Sequence, residues 1–281
     1  MSRRNEIIEQ IKKVQSLPAA AMQIIRSIQD PEVDLQKLTK LIEHDPGLTT
    51  NLLKLANSAY FGMPREVSSV REAAVRLGTN RIFQLVIASA VSPMAKRAVK
   101  GYDLPPGDLW THSIMVAIGA EKTGKALGIK LPDHTFTSGL LHDVGKLVLG
   151  TFVDIDVKPI MALAFEERVS FDMAELKVLG IDHAEAGALL LEEWKLPTAI
   201  GDIARFHHKP DEASQQNVVL DVVHIANNLC MLSGIGRGMD GLNYRPSKAI
   251  VQKYNLKPAI TEPIILQMLS GLEEFKTWFG Q

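Results

Sequence analysis

Seven of the eight histidines of this 281-residue chain lie after residue 100, and five of these fall on or beside an expected helix end or face. Asp143 follows one of them directly, in the segment Gly139–Lys146 (GLLHDVGK). A helical bundle brings side chains from separate helix ends together. The candidate metal ligands are His112, His142, Asp143, His183, His207 and His208.

Neutral imidazole and carboxylate are good ligands for divalent iron, manganese, zinc, cobalt or nickel. Adjacent residues on one helix point about 100° apart around its axis, so His142 and Asp143 would present two ligands in different directions. A carboxylate placed in this way can bridge two ions, and two ions can activate water and clamp a phosphoryl oxygen. We expect one or two ions here, with Asp143 and Lys146 as the catalytic candidates and Lys146 stabilising negative charge.

The remaining histidines, His44, His134 and His224, have no partner at metal-ligand spacing and are interpreted as structural. Cys230 is the only cysteine, which excludes an internal disulfide and a thiolate zinc cluster. Any metal must therefore be held by nitrogen and oxygen ligands. A single cysteine also suits a reducing compartment.

The composition is that of an ordinary globular protein, with 46% hydrophobic and 22% charged residues and a formal net charge of −1. The first hundred residues are net basic and the rest net acidic, but the basic residues are not clustered with aromatic ones, so there is no strong signal for nucleic acid. No apolar run approaches the roughly 20 residues that span a bilayer, and the first residues show no apolar signal core, so no export is expected. We expect a cytoplasmic protein without a membrane partner.

Hydrophobic spacing is helical nearly throughout, which predicts an all-α protein. We expect two helical subdomains, 1–100 and 101–281, with the boundary near Gly101–Gly107 and the N-terminal bundle packed on the C-terminal part. The helices predicted in the second half are 108–128, 133–151, 155–168, 172–179, 183–194, 198–208, 216–233 and 258–278.

Helix ends are also predicted from single residues. In the first half, helices are predicted to begin near Pro18, Asp34, Asp45, Ser69 and Thr79. Asp45-Pro46 is an N-cap followed by a first-turn proline, and Gly78 predicts a helix stop. Asp182 and Glu185 have the spacing of a capping-box pair.

The ordered set of motifs resembles the HD superfamily of metal-dependent phosphohydrolases, and within it the HDOD domain, the "HD-related output domain" of bacterial signalling. The resemblance covers about residues 10–235, and the segment after it matches nothing that we can name. The motifs that carry it are Leu17-Pro18, His44–Leu48 (HDPGL), Leu53–Ala59 (LKLANSA), Ser69-Val70, Leu77-Gly78, Trp110-x-His112, Gly139–Gly145 (GLLHDVG), His183–Gly187 (HAEAG), Trp194-x-Leu196-Pro197 and His207–Pro210 (HHKP).

This resemblance implies an all-helical N-terminal part joined to an HD-like helical domain, and a regulatory role in proteins that have lost ligands. The histidines and Asp143 also match the ligand order of the HD-GYP phosphodiesterases, and Lys146 stands at that family's lysine position. Asn227 stands where that family's final aspartate is expected, and the Gly-Tyr-Pro signature is missing after His208. Hydrolysis of a cyclic dinucleotide is therefore in doubt.

Two functions follow from the resemblance and the residues. The first is a signal-transduction module with an HD-type metal site that binds a signalling partner protein or a small phosphorylated ligand. The alternative is an active metal-dependent phosphohydrolase acting on a nucleotide or phosphoester. The altered position Asn227 favours the first, and the retained ligands with Lys146 favour the second.

Overall fold

The computed structural model describes residues 2–14, 16–28, 35–61, 65–153, 155–235 and 243–276. Within these ranges the chain forms no β-strand, only an isolated bridge between Val99 and Leu104, so the all-α prediction is confirmed. The α-helices are α1 (Arg3–Ile11), α2 (Ala19–Ile28), α3 (Leu35–Glu43), α4 (Pro46–Ala56), α5 (Val70–Ala95), α6 (Asp108–Ala126), α7 (Thr135–Leu141), α8 (Gly145–Leu147), α9 (Lys158–Glu167), α10 (Phe171–Leu179), α11 (His183–Glu193), α12 (Thr198–Phe206), α13 (Val218–Leu232), α14 (Lys248–Lys253) and α15 (Pro258–Lys276).

Short 3₁₀ segments at Ala59–Phe61, Lys100–Tyr102 and Pro210–Glu212 and a π-helical turn at Val148–Phe152 complete the described structure. None of the described helices is both long and apolar enough to cross a bilayer.

The chain divides into two compact units, and each is discontinuous in sequence. One unit comprises Met1–Val14 with Met94–Met268, and the other comprises Gln15–Pro93 with Leu269–Gln281. Every candidate ligand lies in the first of these units, which we call the histidine unit.

The smaller unit is built from amphipathic helices in which α2 packs on α3 and α3 on α4. Asp45 caps α4 by accepting a hydrogen bond from the Leu48 amide, and Pro46 occupies the first helical turn, as the sequence predicts. Gly78 has φ +78° and breaks α5, which confirms the predicted helix stop there. The residues that this unit buries include Ile24, Ile25, Leu38, Ile42, Leu52 and Leu55.

In the histidine unit, α6 is the central helix and packs against α7 and α13. Close approach of these helices depends on small residues, because a Cβ at Gly139 would lie 2.7 Å from the Ala117 Cα. Helix α6 is buried over most of its length, and its buried residues include Trp110, Ile114, Met115 and Ile118. The inward face of α6 therefore carries His112 into the interior.

The predicted helix over 133–151 is wrong in one respect, because it is broken at the His-Asp pair. Helix α7 ends at Leu141, a turn follows, and the short α8 begins at Gly145. The His142 and Asp143 side chains consequently leave from a helix end and a turn, not from consecutive positions of one helix. The sequence prediction also omitted α1 and α14.

Candidate metal centre

The ends of several helices place the candidate ligands around one carboxylate. His112 lies on α6. His142 is the C-terminal cap of α7, and Asp143 follows it in the turn before α8. His183 is the first residue of α11, and His207 is the C-terminal cap of α12 with His208 next to it. The structure brings together all six predicted ligands and Lys146.

The turn that carries Asp143 lies close to the start of α11, and glycine permits this. A Cβ built on Gly145 would lie 1.9 Å from the His183 carbonyl oxygen and 2.5 Å from the Gly187 amide nitrogen. Asp182 fixes the other side of the contact, because its side chain accepts a hydrogen bond from the Glu185 amide and caps α11. The predicted capping pair Asp182 and Glu185 is confirmed.

The two oxygens of Asp143 face different histidines. Oδ2 lies 3.4 Å from His112 Nε2 and 3.4 Å from His142 Nε2, whereas Oδ1 lies 3.4 Å from His183 Nε2 and 3.4 Å from His207 Nε2. Two donors that bind one tetrahedral ion at about 2.1 Å each lie about 3.4 Å apart. We call Asp143 Oδ1, His183, His207 and His208 the Oδ1 half, and Asp143 Oδ2, His112 and His142 the Oδ2 half.

The histidines turn their Nε2 atoms inward because their Nδ1 atoms are hydrogen-bonded elsewhere. His142 Nδ1 donates to the Gly139 carbonyl at 2.7 Å and His207 Nδ1 donates to the Ala204 carbonyl at 2.7 Å. A neutral imidazole that donates through Nδ1 presents a lone pair at Nε2, which is the atom a metal binds. The tautomers in this centre are thus set by the backbone carbonyls.

Glu175 and Cys230 perform the same task for two other ligands, and sequence reasoning did not single out either one for this role. The fully buried Glu175 accepts from His183 Nδ1 at 2.6 Å and from the His183 amide at 2.8 Å, and it also accepts from the Tyr102 hydroxyl. Cys230 Sγ lies 3.4 Å from His112 Nδ1. No motif surrounds either residue, and only their burial beside a histidine identifies them.

His224 was assigned a structural role from the sequence, and its contacts agree. Its Nδ1 donates to the His207 carbonyl at 2.7 Å, and its Nε2 accepts from the Ser247 amide at 2.9 Å. His224 therefore holds the backbone of the candidate ligand His207. The residue that holds His224 in turn, Ser247, follows the region of sequence resemblance.

Electrostatics in the centre combine strong burial with closely paired charges. Burial favours the neutral form of Asp143, but the Lys146 ammonium and the neighbouring histidines hold its pKa well below the ordinary value. Burial also opposes charge on His183, yet the Glu175 carboxylate raises the pKa of His183 to about 9. For His207, burial prevails and lowers the pKa to about 4.

The residues fit a divalent transition metal. Three buried atoms, His142 Nε2, His207 Nε2 and Asp143 Oδ1, have no hydrogen-bond partner among the described residues. His183 Nε2 and His208 Nε2 share a hydrogen bond of 3.0 Å, and an ion that displaces its proton would find both nitrogens as donors. Buried polar groups are almost always paired, so inward-facing lone pairs without donors indicate a bound cation. The donors of each half lie within 4.8 Å of one another.

Asn227 lies on α13, one helical turn before Cys230, and is 2% exposed. Its Oδ1 atom is buried and has no hydrogen-bond partner among the described residues. At position 227, where the resemblance implies an aspartate, the chain thus has a neutral amide. Asn227 lies on the same face of α13 as Cys230, which contacts His112.

The centre is closed to solvent on most sides. His142, Asp143, His183 and His207 are at most 1% exposed, and His112 and Lys146 are 4% and 6% exposed. His208 is partly exposed, and the Tyr244 ring stacks on it with centroids 4.1 Å apart and planes 12° apart. Access to the ligands therefore passes the aromatic side chain of Tyr244.

An all-helical unit with histidines gathered around the aspartate of a His-Asp pair defines the class of HD-type helical domains. The chain belongs to the HDOD domain family, whose model matches residues 14–210. Cys230, which contacts His112, and Tyr244, which stacks on His208, lie beyond the matched residues.

Two curated relatives match parts of the chain. The chain is 29% identical over 223 residues to an uncharacterized protein of Treponema pallidum (strain Nichols), covering 79% of this chain and 43% of that protein. It is 35% identical over 102 residues to the cyclic di-GMP phosphodiesterase CdgJ of Vibrio cholerae, covering 35% of this chain and 23% of that protein. It thus spans less than half the length of these curated relatives.

The crystal structure of an HDOD domain protein of unknown function from Geobacter sulfurreducens superposes with a TM-score of 0.72 at 25% identity. The superposition covers 95% of this chain and 89% of that one. The similarity to a solved HDOD structure therefore extends over most of the chain and beyond the family match that ends at Pro210.

Proposed function

We propose that this chain is a regulatory signal-transduction module of the HDOD family that holds a divalent transition metal in its buried His/Asp centre and binds a signalling partner protein or a small phosphorylated ligand. Iron, manganese, zinc, cobalt and nickel all suit its nitrogen and oxygen donors. A bound ion would tie together α6, the α7–α8 turn, α11 and the end of α12, which carry the ligands.

The observation that carries this proposal is the burial of the centre. A phosphoester must place an oxygen directly on a catalytic ion, but the ligand atoms of Asp143, His183 and His207 lie in the interior. The partly exposed ligand, His208, is covered by the stacked ring of Tyr244. This arrangement favours a metal that stabilises the helical unit over a metal that catalyses a reaction of a bound substrate.

The test is a hydrolysis assay on protein loaded separately with iron, manganese or cobalt. The substrates are cyclic di-GMP, nucleoside triphosphates and an aryl phosphodiester, and product is measured by chromatography. We expect the wild-type chain to show no more turnover than Asp143→Ala. The matched control is Asp202→Ala, which changes an exposed residue on α12. Turnover that Asp143→Ala abolishes and Asp202→Ala retains would overturn the regulatory proposal.

Binding gives the complementary measurement. Calorimetric titration of cyclic di-GMP and of inorganic phosphate into the loaded protein distinguishes a small phosphorylated ligand from a protein partner. Heat of binding without product supports the small ligand, and no heat from either probe counts against it.

The second candidate is a metal-dependent phosphohydrolase, and the position of Lys146 favours it. A divalent ion in the centre would supply Lewis-acid chemistry to a phosphoryl oxygen. The Lys146 ammonium lies 2.6 Å from Asp143 Oδ2 and could stabilise negative charge on a substrate at that side. This function requires Tyr244 to leave His208, so Tyr244→Ala should then raise the turnover rate.

A further inference from the structure

The two halves of the metal centre differ in the number of nitrogen donors they offer. The Oδ1 half has three imidazoles, from His183, His207 and His208, beside one carboxylate oxygen. That makes four donors, which is the number a tetrahedral ion requires. Among the described residues, the Oδ2 half offers two imidazoles, from His112 and His142, beside the other oxygen.

A protein cation already neutralises the Oδ2 half. Lys146 Nζ lies 2.6 Å from Asp143 Oδ2, and both side chains are buried. Mutual repulsion between an ammonium and a divalent ion is strong where water is excluded. The same oxygen therefore cannot hold Lys146 and bind a second ion without a large electrostatic cost.

Two described neighbours of the Oδ2 half, Cys230 and Asn227, bring no carboxylate to balance a second ion. The sulfur of Cys230, and not a carboxylate, lies 3.4 Å from His112 Nδ1. Asn227, one turn earlier on α13, is a neutral amide. In the Oδ1 half, by contrast, the Glu175 carboxylate backs His183 and adds negative charge next to an ion.

We infer that the centre is built for one divalent ion, held in the Oδ1 half by Asp143, His183, His207 and His208, and that the Lys146 ammonium takes the place of a second ion in the Oδ2 half. This inference rests on the proposed metal-holding function and specifies its stoichiometry. One ion and a lysine give the centre the positive charge it needs without the second ion that would clamp a substrate.

The first experiment counts ions. The metal-free 281-residue chain is loaded with Mn²⁺, washed by gel filtration, and measured by elemental analysis and electron paramagnetic resonance. We expect one ion per wild-type chain with the spectrum of an isolated ion. The double variant Lys146→Met with Asn227→Asp should bind two ions per chain with a magnetically coupled spectrum.

Lys209→Met is the matched control, because Lys209 pairs with Asp182 at 2.9 Å and not with Asp143. It should keep one ion per chain with the isolated-ion spectrum. Two coupled ions in the wild-type chain would overturn the inference, as would a single ion in a folded double variant.

A second experiment leaves Lys146 intact, so it stays informative if the double variant fails to fold. Mn²⁺ affinity is measured for His208→Ala and His112→Ala, with circular dichroism to verify folding. We expect His208→Ala to weaken binding at least tenfold more than His112→Ala. Equal losses would overturn the inference, since they would place the ion on both halves.

These outcomes are separable from the test of the proposed function. Two ions per chain without turnover would overturn the one-ion inference alone. Turnover lost in Asp143→Ala, with one ion per chain, would overturn the regulatory proposal alone. A folded wild-type chain that binds no Mn²⁺, Zn²⁺ or Co²⁺ would overturn the metal-holding function and the inference together.

Discussion

At the scale of single residues, the centre is organised by what lies behind each imidazole. His142 and His207 are held by carbonyls in their own helical turns, and His183 is held by a carboxylate from another helix. This orientation costs little when a metal arrives, because the Nε2 lone pairs already face inward. The ligand side chains are therefore preorganised.

Asp143→Ala should abolish stoichiometric metal binding, because Asp143 is shared by both groups of donors. His44→Ala should leave the metal content unchanged, since His44 is exposed in the smaller unit and its Nδ1 bonds to the Lys40 carbonyl. Elemental analysis of protein purified without chelator is the measurement. Equal metal content in the two variants would show that the centre is not the site.

Glu175→Gln should weaken metal affinity by about 10- to 100-fold, because the neutral amide no longer increases the basicity of His183. The matched control is Glu167→Gln, which removes an exposed carboxylate paired with Lys177. Affinity is measured by competition with a chelating dye, and the Co²⁺ absorption spectrum reports on ligand geometry. An unchanged affinity and spectrum in Glu175→Gln would argue against its positioning role.

At the scale of elements, the centre depends on how closely the α7–α8 turn approaches α11. Gly145 faces the His183 carbonyl and the Gly187 amide, and these are backbone atoms that cannot rotate away. Helix α1 joins the same region, because Arg4 makes two hydrogen bonds of 2.7 Å to the Glu185 carboxylate. Close contacts between the α7–α8 turn, α11 and α1 thus fix the spacing of the ligands.

Gly145→Ala should lower the free energy of unfolding by at least about 2 kcal/mol and reduce metal affinity, because the new methyl group would push α8 from α11. Gly201→Ala on α12 is the control, since the nearest atom to its new Cβ is 3.9 Å away. Alanine lowers the conformational entropy of the unfolded chain, so Gly201→Ala should stabilise the protein by up to about 1 kcal/mol. Urea unfolding measures both, and a neutral Gly145→Ala would contradict the close approach.

Arg4→Ala should lower the free energy of unfolding by about 1 kcal/mol at pH 7, at the upper end for a partly exposed pair with two-point geometry. Arg4 holds the pKa of Glu185 below its ordinary 4.5. The pair therefore stabilises the fold above that pH, and its contribution is lost as the pH falls through the lowered pKa.

Urea unfolding at pH 7 and pH 3 tests this. Arg3→Ala is the control, because Arg3 pairs with Glu6 in an exposed contact on the same helix. It should change stability by less than about 0.5 kcal/mol at either pH. A loss in Arg4→Ala that is as large at pH 3 as at pH 7 would place the stabilisation in its 2.9 Å bond to the Gly180 carbonyl instead.

At the scale of the whole molecule, the candidate site belongs entirely to the histidine unit. Its parts come from separate stretches of sequence, since Arg4 and Glu185 stand 181 positions apart and His112 and Cys230 stand 118 apart. The family match ends at residue 210, yet Cys230, Tyr244 and Ser247 complete the surroundings of the ligands. The later part of the chain therefore belongs to the architecture of the site.

Metal loading should stabilise the histidine unit by about 2.7 kcal/mol when the free ion is at 100 times its dissociation constant. Trp110 and Trp194 both lie in that unit, so in a Trp278→Phe background the tryptophan fluorescence follows its unfolding. Asp143→Ala in the same background should show no stabilisation. A similar gain in both proteins would mean that the ion acts outside the centre.

The sequence alone determined the helical class, the set of candidate ligands and the helix starts at Asp45 and Asp182. Each of these depends on hydrophobic period or on residue chemistry within a few positions. Metal chemistry needs particular side-chain types, so residue type and order along the chain are enough to select the candidate ligands. Asn227 is singled out in the same way, because the resemblance assigns its position.

Only the tertiary structure decided how these residues are used. The break at His142-Asp143, the division of the Asp143 oxygens between two sets of histidines and the capture of Oδ2 by Lys146 all arise from contacts between helices. Glu175 and Cys230 carry no local pattern, since their role comes from lying behind a histidine from a distant part of the chain. Burial and long-range contact are properties of the packed chain, and hydrophobic period does not encode them.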